Sequence, residues 1–136
     1  MIHRAFDVRE WTVDILFAHG GYDQERVLNA LRDYGAPESS MRQAESLMRS
    51  GPNCGFTFSN GYRRCILTWV GRQVSGAEWV NTTVHEIVHV AMAIAIDQGI
   101  DPYTEELAYL IGDITERLSD LLCALACDHC REENFN

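Results

Sequence analysis

Between residues 9 and 18 apolar and polar positions alternate, with Trp11, Val13, Ile15 and Phe17 on one side of the chain. A period of two is the pattern of a strand with one buried face, and Gly20-Gly21 ends it. From 22 to 34 the period lengthens. Val27, Leu28, Leu31 and Tyr34 fall at helical spacing, with Asp23 as N-cap and Gly35 as stop. A second helix opens at Pro37, carries Met41, Ala44, Leu47 and Met48 inside, and closes at Gly51-Pro52. Two short apolar runs follow, Phe56-Thr57-Phe58 and Cys65 to Val70, around Ser59-Asn60-Gly61-Tyr62. Asn-Gly between such runs predicts a hairpin, because both turn residues need positive φ.

Ser75-Gly76-Ala77-Glu78 has the form of a capping box, and the helix it opens runs to about Gln98, where Gly99 ends it. Asp101-Pro102 starts a last, long helix. Its stripe of Leu107, Leu110, Ile111, Ile114, Leu118, Leu121, Leu122 and Leu125 is unbroken. The expected fold is therefore α+β. It is a small antiparallel sheet, made of the N-terminal strand and the hairpin, with helices packed on it. The 136 residues suit a single domain, 1–136, with one core.

Composition narrows the function classes. Apolar residues make up 46% and charged residues 23%, an ordinary globular balance. The net charge of -9 repels phosphate backbones, so nucleic acid is not an expected partner. No apolar run reads as long enough to span a bilayer, so a membrane is not expected either. Met1 to Asp7 has no apolar h-region and an early acid, unlike a signal peptide. The expected location is the cytoplasm. Five cysteines there would be thiols or metal ligands.

The chemistry concentrates in His85-Glu86-Ile87-Val88-His89, an HExxH sequence inside the capped helix. Residues i and i+4 share a helical face, so both imidazoles can reach one ion. Zinc takes imidazole nitrogen at about 2.0–2.1 Å. Glu86, between the pair, can take a proton from water at that ion. A pentapeptide with three fixed positions also arises by chance, and such a helix needs no metal. Two features weigh against chance. The flanking Val84, Ile87, Val88, Ala91 and Ala95 are expected to bury the helix, and polar histidines at a core edge need a partner. Carboxylates also follow at a useful place: Glu105 and Glu106 open the next helix, and either can supply a third ligand, provided that helix is displaced or crosses.

An HExxH helix followed by a helix bearing Glu-x-x-Ala resembles the gluzincin-type zinc peptidases. In compact members the Glu three residues before the Ala is the third ligand. Glu105-Glu106-Leu107-Ala108 matches, and the resemblance selects Glu105. A wider stretch, roughly 10 to 130, is similar to small HExxH metallopeptidases of phages and mobile elements in Bacteroides-type gut bacteria. It includes Cys54 to Asn60, Val70-Gly71-Arg72, Asn81, the HExxH itself and Glu105 to Gly112. The resemblance implies a zinc cofactor and a peptide or protein substrate. The chain departs from larger gluzincins at Tyr109, where they often carry an Asp that orients a histidine; Asp113 is the nearest Asp. The Tyr109 hydroxyl is a candidate to polarise a substrate carbonyl, and a Tyr packed at a core edge is the plainer alternative. Residues 64 to 70 are a candidate edge for pairing with extended substrate, or an ordinary core strand.

Cys123, Cys127 and Cys130, with His129, invite a second metal site. A lone C-x-x-C is weak support, and Cys123 falls near the apolar stripe, where a thiol acts as a small hydrophobe. With a two-residue loop, Cys54 and Cys65 would lie diagonally on one hairpin face, too far for a disulfide. Two other functions compete with hydrolysis. One is a zinc-bound, non-catalytic interaction protein of phage or mobile-element origin; the other is a structural helical domain with an accidental motif. Glu86 separates the first of these from an enzyme, because a purely structural site has no use for a base.

Overall fold

The computed structural model describes residues 1–135. The fold is α+β: a four-stranded sheet with helices on both faces. The strands are β1 (Ile2–Val8), β2 (Trp11–Phe17), β3 (Gly55–Asn60) and β4 (Cys65–Val70), in the order β1-β2-β4-β3. The helices are α1 (Gln24–Asp33), α2 (Glu38–Arg49), α3 (Gly76–Gln98), α4 (Glu105–Arg117), α5 (Ser119–Ala126) and α6 (Asp128–Phe135). The sheet is mixed rather than antiparallel throughout. The chain leaves β2, crosses through α1 and α2, turns back along β3, and so enters β4 parallel to β2. β4 is thereby an inner strand and β3 an edge.

The alternation in β2 has the consequence its pattern implies. Trp11, Val13, Ile15 and Phe17 join Ile66 and Val70 under α3, α4 and α5, where all six are at most 1% exposed. Leu16, Leu67 and Trp69 point the other way, into a second cluster with Val27 and Leu31 of α1 and Met41, Ala44 and Met48 of α2. β1 was not foreseen as a strand. It is a half-exposed edge joined to β2 by Arg9 and Glu10, both at positive φ (49° and 68°). That is a tight turn of the left-handed kind built without the usual Asn or Gly, so it leaves no sequence signature.

The β3–β4 hairpin forms, but not with a two-residue turn. Asn60 pairs with Cys65, leaving a four-residue loop. The Asn60 side chain accepts from the backbone N–H groups of Tyr62 and Arg63 and donates to the Tyr34 carbonyl. It serves as a loop anchor rather than a turn residue. Gly55 pairs with Val70, so Cys54 and Cys65 lie at opposite ends of the hairpin, not on a diagonal. Both are free thiols.

Ser75 caps α3 by accepting from the Glu78 N–H, and Gly99, at φ 66°, ends it. α3 is long and apolar enough to cross a membrane by length and composition alone, contrary to the sequence reading. Half of that stretch is buried against the sheet and α4–α5, as expected of a core helix. The last helix also differs from expectation. It starts at Glu105, because Asp101 takes the Tyr103 N–H on its side chain and the Thr104 hydroxyl and N–H on its carbonyl, closing a turn first. It then breaks at Leu118 and again at Cys127, which is extended. Around Leu118, hydroxyls of Thr115 and Ser119 bond carbonyls three or four residues back, competing with the helix ladder. The apolar stripe runs on across the first break: Leu107, Leu110, Ile114, Leu118, Leu121, Leu122 and Leu125 are all buried.

Candidate metal centre

His85 and His89 stand on an exposed side of α3, one turn apart. Their Nε2 atoms are 3.1 Å from each other, and the rings meet edge to face at 4.8 Å between centroids. A tetrahedral ion with nitrogen ligands at about 2.0–2.1 Å holds them about 3.3 Å apart. The separation therefore suits one shared ion. Val84 and Val88, expected to help bury the helix, are each 38% exposed. Ile87, Val90, Ala91 and Ala95 form the buried side.

Glu86, beside them on the helix, reaches toward the sheet and is only 3% exposed. Its Oε2 accepts from Thr57 Oγ1 of β3 at 2.6 Å. Thr57 in turn lies 3.0 Å from the fully buried Thr68 hydroxyl of β4. The Thr57 proton is committed to the carboxylate, so Thr68 is the donor in the second bond. This makes a short relay from an inner strand, through the edge strand, to the helix. Burial pushes the Glu86 carboxyl above the usual carboxylate range; the Thr57 bond and the neighbouring His89 and His85 pull it back only in part. A carboxylate with raised proton affinity is a stronger proton acceptor than an ordinary one.

β3 can approach this carboxylate because of Gly55. A Cβ there would stand 2.9 Å from the Trp69 carbonyl oxygen and 3.0 Å from Glu86 Oε1. Gly55, Glu86 and His85 line a cleft of about 260 Å³ with Asn53, Cys54, Asn81, Thr82 and Leu47. One wall is fixed by Gln73, which accepts from Thr82 Oγ1 at 2.7 Å and donates to the Gly71 carbonyl.

Glu105 and Glu106 do not reach this place. Among the described residues no group of three His, Cys, Asp or Glu side chains is set to hold a metal. α4 begins almost directly after α3 ends, so its first turn sits beside the last turn of α3. Gln98 donates to the Arg9 carbonyl, and Arg9 pairs with Glu106 at 3.0 Å. Gln98 lies nine residues past His89, which is about 14 Å along the helix axis. The crossing or shift needed to bring Glu105 in does not occur. Tyr109 is 67% exposed on α4 and is not part of the cleft lining. The edge strand beside Glu86 is β3, not residues 64 to 70, which are enclosed between β2 and β3. Nor do Cys123, Cys127 and Cys130 form such a group.

Thr57, Thr68 and Gly55 were not singled out in the sequence. The signal for Thr57 was present. In Phe56-Thr57-Phe58 the two rings share one sheet face, so the hydroxyl must lie on the other. No protein-family model, no curated protein and no solved structure matches the chain significantly.

Proposed function

We propose that the chain is a zinc-dependent peptide hydrolase in which His85 and His89 hold the ion and Glu86 is the general base. The observation that carries this reading is the pairing of two imidazole nitrogens at 3.1 Å with an adjacent buried carboxylate of raised proton affinity. Bound zinc supplies Lewis-acid polarisation of a peptide carbonyl. Glu86 takes the proton of the attacking water and returns it to the leaving amine. Thr57 holds the Glu86 carboxylate in place throughout. The outer edge of β3 runs beside Glu86, and its unpaired N–H and C=O groups suit an extended peptide substrate. Five free thiols fit a reducing compartment, and a cytoplasmic location belongs to the same reading.

One observation favours a second reading. Among the described residues two candidate ligands come together rather than three, so an ion there can take its remaining ligands from another protein, in a zinc-bridged interaction without turnover.

Replacing Glu86 by Gln separates the two. It keeps the shape and an acceptor for Thr57 but removes the base. The hydrolase reading expects zinc and fold retained, and cleavage of an unstructured peptide pool reduced on the order of 10²–10⁴-fold. Undiminished cleavage by the variant rules out Glu86 as base. A wild type that cleaves nothing with zinc present, yet binds it, moves the assignment to the interaction protein.

A further inference from the structure

A second cleft, of about 540 Å³, opens on the opposite face of the sheet at the α2 end. Its apolar walls are Met48, Pro52, Trp69 and the ring of Tyr22, which meets the Trp69 ring edge-on at 5.5 Å between centroids. Arg49, the last residue of α2, and Arg72, just after β4, supply its charge. The chain carries 20 acidic residues against 11 basic ones. Even so, the lining holds no carboxylate, and neither arginine makes an ion pair or a side-chain hydrogen bond among the described residues. Glu45, one turn before Arg49, does not pair with it. By contrast Arg4, Arg9, Arg64 and Arg131 each pair with a carboxylate. The indole N–H of Trp69, itself 1% exposed, is buried without an acceptor.

The walls are built rather than loose. The Tyr22 hydroxyl donates to the Met48 carbonyl at 3.1 Å. The Asn53 N–H donates to the Arg72 carbonyl at 2.7 Å, and the Gly71 N–H to the Cys54 carbonyl at 2.8 Å. These bonds lock the loop after α2 to the loop after β4, and with them the backbone that carries both arginines. An open cleft of this size, with an apolar body and two exposed guanidinium groups at its rim that no carboxylate of the chain engages, suits a small anionic molecule. Guanidinium matches the paired oxygens of carboxylate and phosphate and stays charged at every physiological pH.

We propose that this cleft binds a small organic oxyanion, a carboxylate or phosphate carried on an apolar or aromatic body, with Arg49 and Arg72 taking the charge and Met48, Pro52 and Tyr22 the body. No residue lines both this cleft and the candidate metal centre; the end of α2 and the loop around residues 51 to 55 lie between them.

The test is calorimetric titration of the metal-free, full-length protein with phenyl phosphate, benzoate and benzyl alcohol. One or both anions bind one per chain, more weakly as salt is raised, and benzyl alcohol binds at least tenfold more weakly. The tighter anion identifies the headgroup. Arg49→Gln with Arg72→Gln weakens anion binding at least tenfold, while Arg49→Lys with Arg72→Lys retains part of it; circular dichroism checks that both variants are folded. His85→Ala with His89→Ala leaves binding unchanged. The assignment is overturned if neither anion binds, if benzyl alcohol binds as well, if the double Gln variant binds undiminished, or if the histidine variant loses binding.

Discussion

Thr57 Oγ1 donates to Glu86 Oε2 at 2.6 Å and ties the edge strand β3 to the centre of α3. The bond is to a charged acceptor and is partly buried, the class worth about 1.5–3 kcal/mol. Thr57→Val keeps the shape and removes the donor. It leaves both the Glu86 carboxylate and the Thr68 hydroxyl short of a partner. Denaturant unfolding at neutral pH is expected to show a loss of about 1–3 kcal/mol. The same change removes an influence that lowers the Glu86 pKa. The acidic limb of any hydrolytic pH profile should therefore move to higher pH. A variant as stable as wild type would show that the bond is not held in solution.

The buried carboxylate has a cost that depends on pH. Folding raises the Glu86 pKa above its ordinary value of 4.5, with burial the largest cause. The folded state thus favours the protonated form, and ionisation destabilises it. That penalty is absent well below pH 4.5 and grows as pH rises through the folded-state pKa. Metal-free Glu86→Gln should melt at a higher temperature than metal-free wild type at pH 7, with the two converging as pH falls below the carboxylate range. Added zinc should narrow the gap, since a cation beside Glu86 favours its charged form. A Gln variant that melts lower than wild type at pH 7 would mean the charge is compensated by something other than the groups around it here.

The metal-ligand assignment is now narrower than the sequence suggested. His85→Ala and His89→Ala should each lower bound zinc, measured by metal analysis after dialysis. Glu105→Gln and Glu106→Gln should leave it unchanged, because both open α4 beside the far end of α3. Both histidines belong to one helix, so an ion held by them would clip a single turn and would not join two helices. Its effect on the melting temperature should follow only its free concentration relative to its dissociation constant. Loss of zinc in Glu105→Gln would require α4 to move on binding.

Most of the fold was legible where period and capping agree. Trp11 to Phe17, Val27 with Leu31, and the run from Leu107 to Leu125 occupy the faces their spacing implies. What escaped was long-range. Nothing local says that β2 and β4 run side by side, since that pairing is made across the α1–α2–β3 excursion. β1 escaped because Arg9 and Glu10 take positive φ without the residues that usually mark such a turn. Asn60-Gly61 misled for the converse reason: Asn60 spends its side chain anchoring the loop. At the site, the i, i+4 spacing placed the histidines together, whereas Glu105 depended on an interhelical geometry that sequence does not encode.

Gly55 gives the most local test of how the site is assembled. It is the first residue of β3 and pairs with Val70. A Cβ there would meet the Trp69 carbonyl oxygen at 2.9 Å, Glu86 Oε1 at 3.0 Å and Glu86 Cγ at 3.1 Å. The Trp69 carbonyl is backbone in an inner strand and has little room to yield. Glu86 is the softer neighbour, so it should move, stretching its bond to Thr57. Gly55→Ala is therefore expected to cost about 1–3 kcal/mol, the range for overpacking, and to reduce hydrolysis. It should leave zinc stoichiometry intact, because the nearest atoms to that Cβ belong to Trp69 and Glu86 and not to His85 or His89. Gly61→Ala is the matched control: a Cβ at Gly61 meets nothing within 4 Å, and its effect should stay within about 0.5 kcal/mol. Chemical denaturation, metal analysis and cleavage assays on the two variants separate the effects. If Gly55→Ala is as stable and as active as the Gly61 control, β3 does not press against Glu86 as described, and the Thr57–Glu86 contact cannot be what positions the base.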